Sequence, residues 1–93
     1  MLLSIQIQAA YLLIPMDDTQ SNHLKAYGIA FWMLAQEVPV EWLLNYRGGS
    51  FLMPNTPSLV QACVIRGVSH QVIADVQASQ ILNQIAHPEV NQE

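Results

Sequence analysis

Tyr11-Leu12-Leu13-Ile14-Pro15 is a short apolar run closed by proline, and Met16-Asp17-Asp18-Thr19-Gln20-Ser21-Asn22 follows it with acids, hydroxyls and amides. An apolar run of that length without alternation predicts a strand buried on both faces, the habit of strands in the middle of a parallel sheet. The polar segment after it suits a helix N-cap and the positive end of the helix dipole. Strand, polar turn and helix together read as the opening of a β-α unit.

Outward from that unit the pattern repeats. A helix is predicted over 20–36, where Leu24, Tyr27, Gly28, Phe31 and Ala35 recur at helical spacing. Ile29, Trp32 and Met33 lie on its other faces and are apolar too, so the helix is either buried widely or packs on a sheet with something else over its back. Gly28 costs about 1 kcal/mol relative to alanine inside a helix, which predicts close approach to a neighbouring strand. Pro39 ends the helix, and a second strand is predicted over 40–46. Arg47-Gly48-Gly49-Ser50 reads as a turn and Phe51-Leu52-Met53-Pro54 as a short extended piece. Thr56 and Pro57 open a second helix, a capping hydroxyl followed by a proline whose missing N–H costs nothing there. Arg66 and Gly67 close it, and Leu59, Val60, Cys63 and Val64 form its apolar stripe. A third strand is predicted over 68–74. Asp75 caps a third helix to about 87, with Ala78, Ile81, Leu82 and Ile85 on one face and Pro88 as its stop.

Strand and helix thus alternate three times, which implies a parallel sheet with right-handed crossovers. The expected fold is α/β: three β-α units of a flavodoxin-like or class I amidotransferase-like three-layer sandwich. Complete doubly wound domains carry about five or six strands, so residues 11–88 are expected to be a partial domain. Residues 89–93 form a polar tail. Residues 1–10 admit two readings. Leu3, Ile5, Ile7 and Ala9 alternate with Ser4, Gln6 and Gln8 as in a strand; alternatively, Gln8-Ala9-Ala10 ends the remnant of a signal peptide.

Composition narrows the function classes. The 93 residues suffice for one small domain. Apolar residues make up 52% and charged residues 11%, against about 25% charged in an ordinary globular chain. So little charge predicts a partner, further domains or missing sequence over the apolar faces. Lys25, Arg47 and Arg66 are the only basic side chains and the net charge is −4. Nucleic-acid binding needs a basic run or face to neutralise phosphates, and none is present. The longest apolar stretch, 26–35, is half of the roughly 20 residues that a membrane-spanning helix needs. Cys63, the one cysteine, can form neither an internal disulfide nor a cysteine-rich zinc site.

In open parallel sheets ligands sit at the carboxyl ends of the strands. The segment 45–55 falls there, and its length and two glycines single it out. Asn45, Tyr46, Arg47, Gly48, Gly49 and Ser50 are the candidate residues for a small polar or anionic ligand: glycine amides beside an arginine cradle phosphate or carboxylate. The plainer reading is a glycine turn with a surface arginine. Asp17 and Asp18 are candidate ligands for a divalent cation, and helix capping accounts for them equally well. His23, His70 and His87 do not stand at metal-ligand spacing, and Cys63 falls on an apolar stripe as a buried thiol. No G-x-S-x-G, P-loop or G-x-G-x-x-G motif occurs, so no cofactor is indicated.

The strings Leu13-Ile14-Pro15-Met16-Asp17-Asp18-Thr19-Gln20-Ser21-Asn22-His23-Leu24-Lys25-Ala26-Tyr27-Gly28 and Trp42-Leu43-Leu44-Asn45-Tyr46-Arg47-Gly48-Gly49-Ser50-Phe51 resemble the start of bacterial proteins, common in Bacteroidetes, labelled asparagine synthetase B. The resemblance implies that residues 11–93 are the front portion of a several-fold longer protein, and that the first strand follows an export signal, placing the protein in an exported or periplasmic setting. It also implies an amide-ligase activity with its catalytic residues downstream. Two marks of glutamine-using asparagine synthetases are absent from these residues: Met1 is followed by Leu2 rather than cysteine, and Arg47-Gly48-Gly49-Ser50-Phe51 shares only glycines with a Ser-Gly-Gly-x-Asp-Ser ATP loop. Three functions are therefore expected in turn: a ligand-binding portion of a larger exported protein, a segment of an amidotransferase-type enzyme, and an interaction module that docks on neighbouring domains.

Overall fold

The computed structural model describes residues 11–85. Its elements run β1 (Tyr11–Ile14), α1 (His23–Ala35), β2 (Glu41–Leu43), β3 (Ser50–Pro54), α2 (Pro57–Arg66), β4 (Gln71–Ile73) and α3 (Asp75–Ile85). The expected end of the third helix near 87, the tail and both readings of 1–10 lie outside the described residues.

The four strands form one sheet in the order β2-β3-β1-β4. Every neighbouring pair is antiparallel, with Leu12 opposite Met53, Leu12 opposite Val72, and Trp42 opposite Phe51. The parallel, flavodoxin-like or amidotransferase-like sandwich is therefore overturned. Both β1 and β2 run opposite to β3, so they run parallel to each other, as a β-α-β unit requires; β3 is inserted between them. The βαββαβ order with this sheet arrangement is the split-βαβ pattern of ferredoxin-like domains, here with an additional α3.

The error lay in Ser50–Pro54. Its first four residues are buried, and it is a central strand rather than an extended piece within a loop. Arg47, Gly48 and Gly49 have φ of 47°, 79° and 91°, and these three left-handed residues reverse the chain. Gly49 N–H and Ser50 N–H both donate to the Tyr46 carbonyl, closing the turn. The strand so formed separates β1 from β2 and makes every contact in the sheet antiparallel.

The reading of β1 as buried on both faces holds, and its cause is now visible. Leu12 and Ile14 face α1 and α2, packing with Met53, Ile29, Met33, Leu59 and Cys63. Leu13 faces the other way, with Leu43, Leu52, Ile73 and Ala78 of α3. Helices cover both faces of an antiparallel sheet, so the central strand carries the apolar run of a parallel one.

The helix ends follow local chemistry. Asn22 caps α1 by accepting from Lys25 N–H, and Thr56 caps α2 by accepting from Leu59 N–H ahead of Pro57. Gly67, at φ 68°, ends α2. The face of α1 is a second correction. Ala26, Ile29, Ala30 and Met33 are buried, whereas Leu24, Tyr27 and Phe31 of the expected stripe are exposed. A Cβ on Gly28 would meet nothing within 4 Å, so the expected close approach to a strand is absent.

Candidate functional site

The candidate polar residues meet at one end of the sheet. Arg47 is the hub. Its Nε donates to Asp17 Oδ2 at 2.8 Å, one terminal nitrogen donates to Thr19 Oγ1 at 3.0 Å, and the other donates to Gln71 Oε1 at 3.3 Å. The Arg47 carbonyl accepts from Met16 N–H at 3.1 Å and from the Ser50 hydroxyl at 3.2 Å. His23 Nε2 donates toward the carbonyls of Met16 and Asp17, at 3.0 and 3.1 Å, which places that proton on Nε2. The cluster ties the end of β1 to the β2–β3 turn and the start of β4.

Sequence reasoning treated Arg47 and Asp17 as parts of separate sites. They form an ion pair, with each side chain about a third exposed. The amides of Gly49 and Ser50 are spent on the turn, and Gly48 packs against the Met16 backbone. Tyr46 is half-buried against the α3-side core, while Asn45 and Asp18 are exposed. No group of three or more metal-ligating side chains occurs among the described residues. Cys63 is buried, and its thiol is pushed up to about 11 by burial, so it stays protonated at neutral pH.

Hydrogen bonds from the Thr19 hydroxyl and then from Arg47 hold the Asp17 carboxyl at about 2, well below its usual range. A carboxylate depressed in the folded state stabilises the fold fully above its unfolded pKa, near ~4, and loses that contribution as pH falls through about 2. Asp17→Asn should therefore flatten the acid limb of a Tm-against-pH curve between about pH 4 and 2. Equal slopes for the variant and the parent would show that the pair does not contribute.

A different surface lies on the helix side of β2. Leu24, Tyr27, Phe31 and Leu34 recur every three to four residues along α1, and all four are exposed, Leu24 at 82% and Phe31 at 70%. Tyr27, Phe31 and Leu34 flank a cleft of about 260 Å³ floored by Phe51 and closed by Val40 and Trp42 of the edge strand region. Tyr27 meets Phe51 edge-on at 5.7 Å between ring centroids, and Trp42 stacks on Phe51 at 6.0 Å. Trp42 Nε1 donates to the Gly49 carbonyl at 3.0 Å, which fixes the ring as one wall and removes its polar atom from the cleft. The helical spacing of Tyr27 and Phe31 predicted a buried stripe, and both are exposed. The signal for exposure was the helix that is apolar on every side.

No family model, curated protein or solved structure matches this chain. No helix among the described residues is long and apolar enough to cross a membrane. Two surfaces of the domain therefore bear on its function. The strand-end cluster satisfies its charges internally. The α1–β2 face leaves apolar area in water.

Proposed function

We propose that this chain is a docking module that packs its α1–β2 face against a neighbouring domain of the same, longer polypeptide. The observation that carries the reading is the continuous exposed stripe of Leu24, Tyr27, Phe31 and Leu34 beside the aromatic cleft of Trp42 and Phe51. Contiguous apolar patches of this kind are uncommon on isolated domains and mark contact surfaces. A cleft lined almost wholly by apolar atoms gives a soluble metabolite little to orient it, whereas an apolar side chain from a packed domain fills it. The 11% charge content fits a domain that is solvated over only part of its surface. The resemblance to the front of longer exported proteins supplies the occupant.

The test begins with the gene. The reading requires coding sequence for a further domain; a gene that encodes nothing beyond this chain overturns it. With that domain in hand, the two parts are prepared separately and their association is measured. Phe31→Glu combined with Leu34→Glu should weaken association about tenfold or more, because desolvating two carboxylates replaces apolar burial. Both positions are already exposed, so the melting of the chain itself should stay unchanged. Undiminished association of the double variant would sink the proposal.

A further inference from the structure

We propose that the cleft between α3 and the sheet is a binding site for a small, neutral, hydroxyl-rich molecule of monosaccharide size. The inference is independent of the docking reading, since this cleft lies on the opposite face of the sheet from α1. Its volume is about 290 Å³, at the lower end of small-ligand sites, ~300 Å³ and upward. Leu13, Ile73 and Ile81 form its apolar part, and four glutamines, Gln71, Gln77, Gln80 and Gln84, line it together with Tyr46.

Two of those glutamines are oriented by the fold. Gln71 Oε1 accepts from Arg47, and Gln77 Oε1 accepts from Ala74 N–H at 3.0 Å. Each therefore keeps its amide NH2 as the group left for a ligand. Gln80 and Gln84 stand one helical turn apart on α3, the spacing that puts side chains on one face. A carboxamide carries a donor and an acceptor side by side, which matches two neighbouring hydroxyls in a bidentate pair. The Tyr46 phenol adds a further donor and acceptor, and the apolar residues suit the C–H face of a sugar ring.

The lining discriminates among ligand classes. Among the described residues no carboxylate or histidine lines the cleft, so that lining does not suit a cation. Arg47, behind Gln71, has its charge balanced by Asp17, and a chain of net charge −4 supplies no general attraction for anions. A wholly apolar ligand would desolvate the amides without pairing them.

The experiment follows the side-chain NH2 resonances of the 15N-labelled chain during titration with N-acetylglucosamine, glucose and inorganic phosphate. The expected result is saturable shifts at Gln71, Gln77, Gln80 and Gln84 with at least one sugar, in the millimolar range, and none with phosphate. Gln80→Ala and Gln84→Ala should each weaken that binding about threefold or more without moving the melting temperature. Absence of saturable shifts with both sugars, a response to phosphate alone, or unchanged affinity in both variants would overturn the proposal.

Discussion

Gly48→Ala is expected to destabilise the chain by about 2–4 kcal/mol, a large part of the ~5–15 kcal/mol available to a small domain. Two independent costs add. The residue sits at φ 79°, where an L side chain is strained by about 1–3 kcal/mol. A Cβ there would also lie 2.7 Å from the Met16 carbonyl oxygen and 2.8 Å from its carbon. Those are backbone atoms at the end of β1, pinned by the Met16 N–H bond to Arg47, so they cannot swing aside as a side-chain tip would. Gly28→Ala is the control with the opposite sign. It lies inside α1 with nothing within 4 Å of the added Cβ, and should stabilise by up to about 1 kcal/mol. Urea unfolding of the two variants beside the parent reads both. A Gly48→Ala midpoint indistinguishable from the parent's would mean that the turn is free to relax and does not fix the hairpin.

That turn is also where the sequence was hardest to read. Arg47-Gly48-Gly49-Ser50 announces a chain reversal, but a reversal serves equally a hairpin or a long loop between crossover units. The choice depends on whether Ser50–Pro54 finds a partner, and its partner besides β2 is β1, nearly forty residues earlier. Nothing local encodes that pairing. The ends of α2 were legible because Thr56, Pro57, Arg66 and Gly67 act within one helical turn. The burial of β1 was legible for the same kind of reason, since an unbroken apolar run has both faces covered whichever way its neighbours point. On α1, apolar residues on all sides left the buried face undetermined, and the small residues Ala26 and Ala30 turned out to face the sheet while the aromatics stayed outside. The Asp17–Arg47 pair spans 30 residues and no helical or strand period, so spacing could not have joined the two candidate sites. Each proposed residue was recognisable by type; which of them meet is a property of the sheet order.

Gln20→Ala is expected to cost about 2–4 kcal/mol, although it removes a polar side chain from a segment that reads as a surface turn. Gln20 is only 5% exposed. Its Nε2 donates to the Pro15 carbonyl at 2.8 Å and to the Ser69 carbonyl at 2.9 Å, and its Oε1 accepts from Ser69 N–H at 2.7 Å and Asn22 N–H at 3.2 Å. One amide thereby closes both N–H and two acceptor positions, bridging the end of β1, the start of α1 and the segment before β4. Alanine strands those backbone groups, each costing about 1–3 kcal/mol where water cannot reach it, with the total reduced because the site is only part-buried. Gln20→Glu separates hydrogen bonding from volume. It keeps the acceptors for Ser69 N–H and Asn22 N–H, but at neutral pH it sets a carboxylate oxygen against two carbonyls. Its folded-state pKa is then raised, so its penalty should be greatest at neutral pH and should shrink as pH falls toward about 4, where the protonated acid donates one bond again. This slope is opposite to that of the Asp17 pair, whose contribution falls as pH falls. A Gln20→Glu variant equally unstable at pH 4 and pH 7 would mean that the amide matters for its shape and not for its donors.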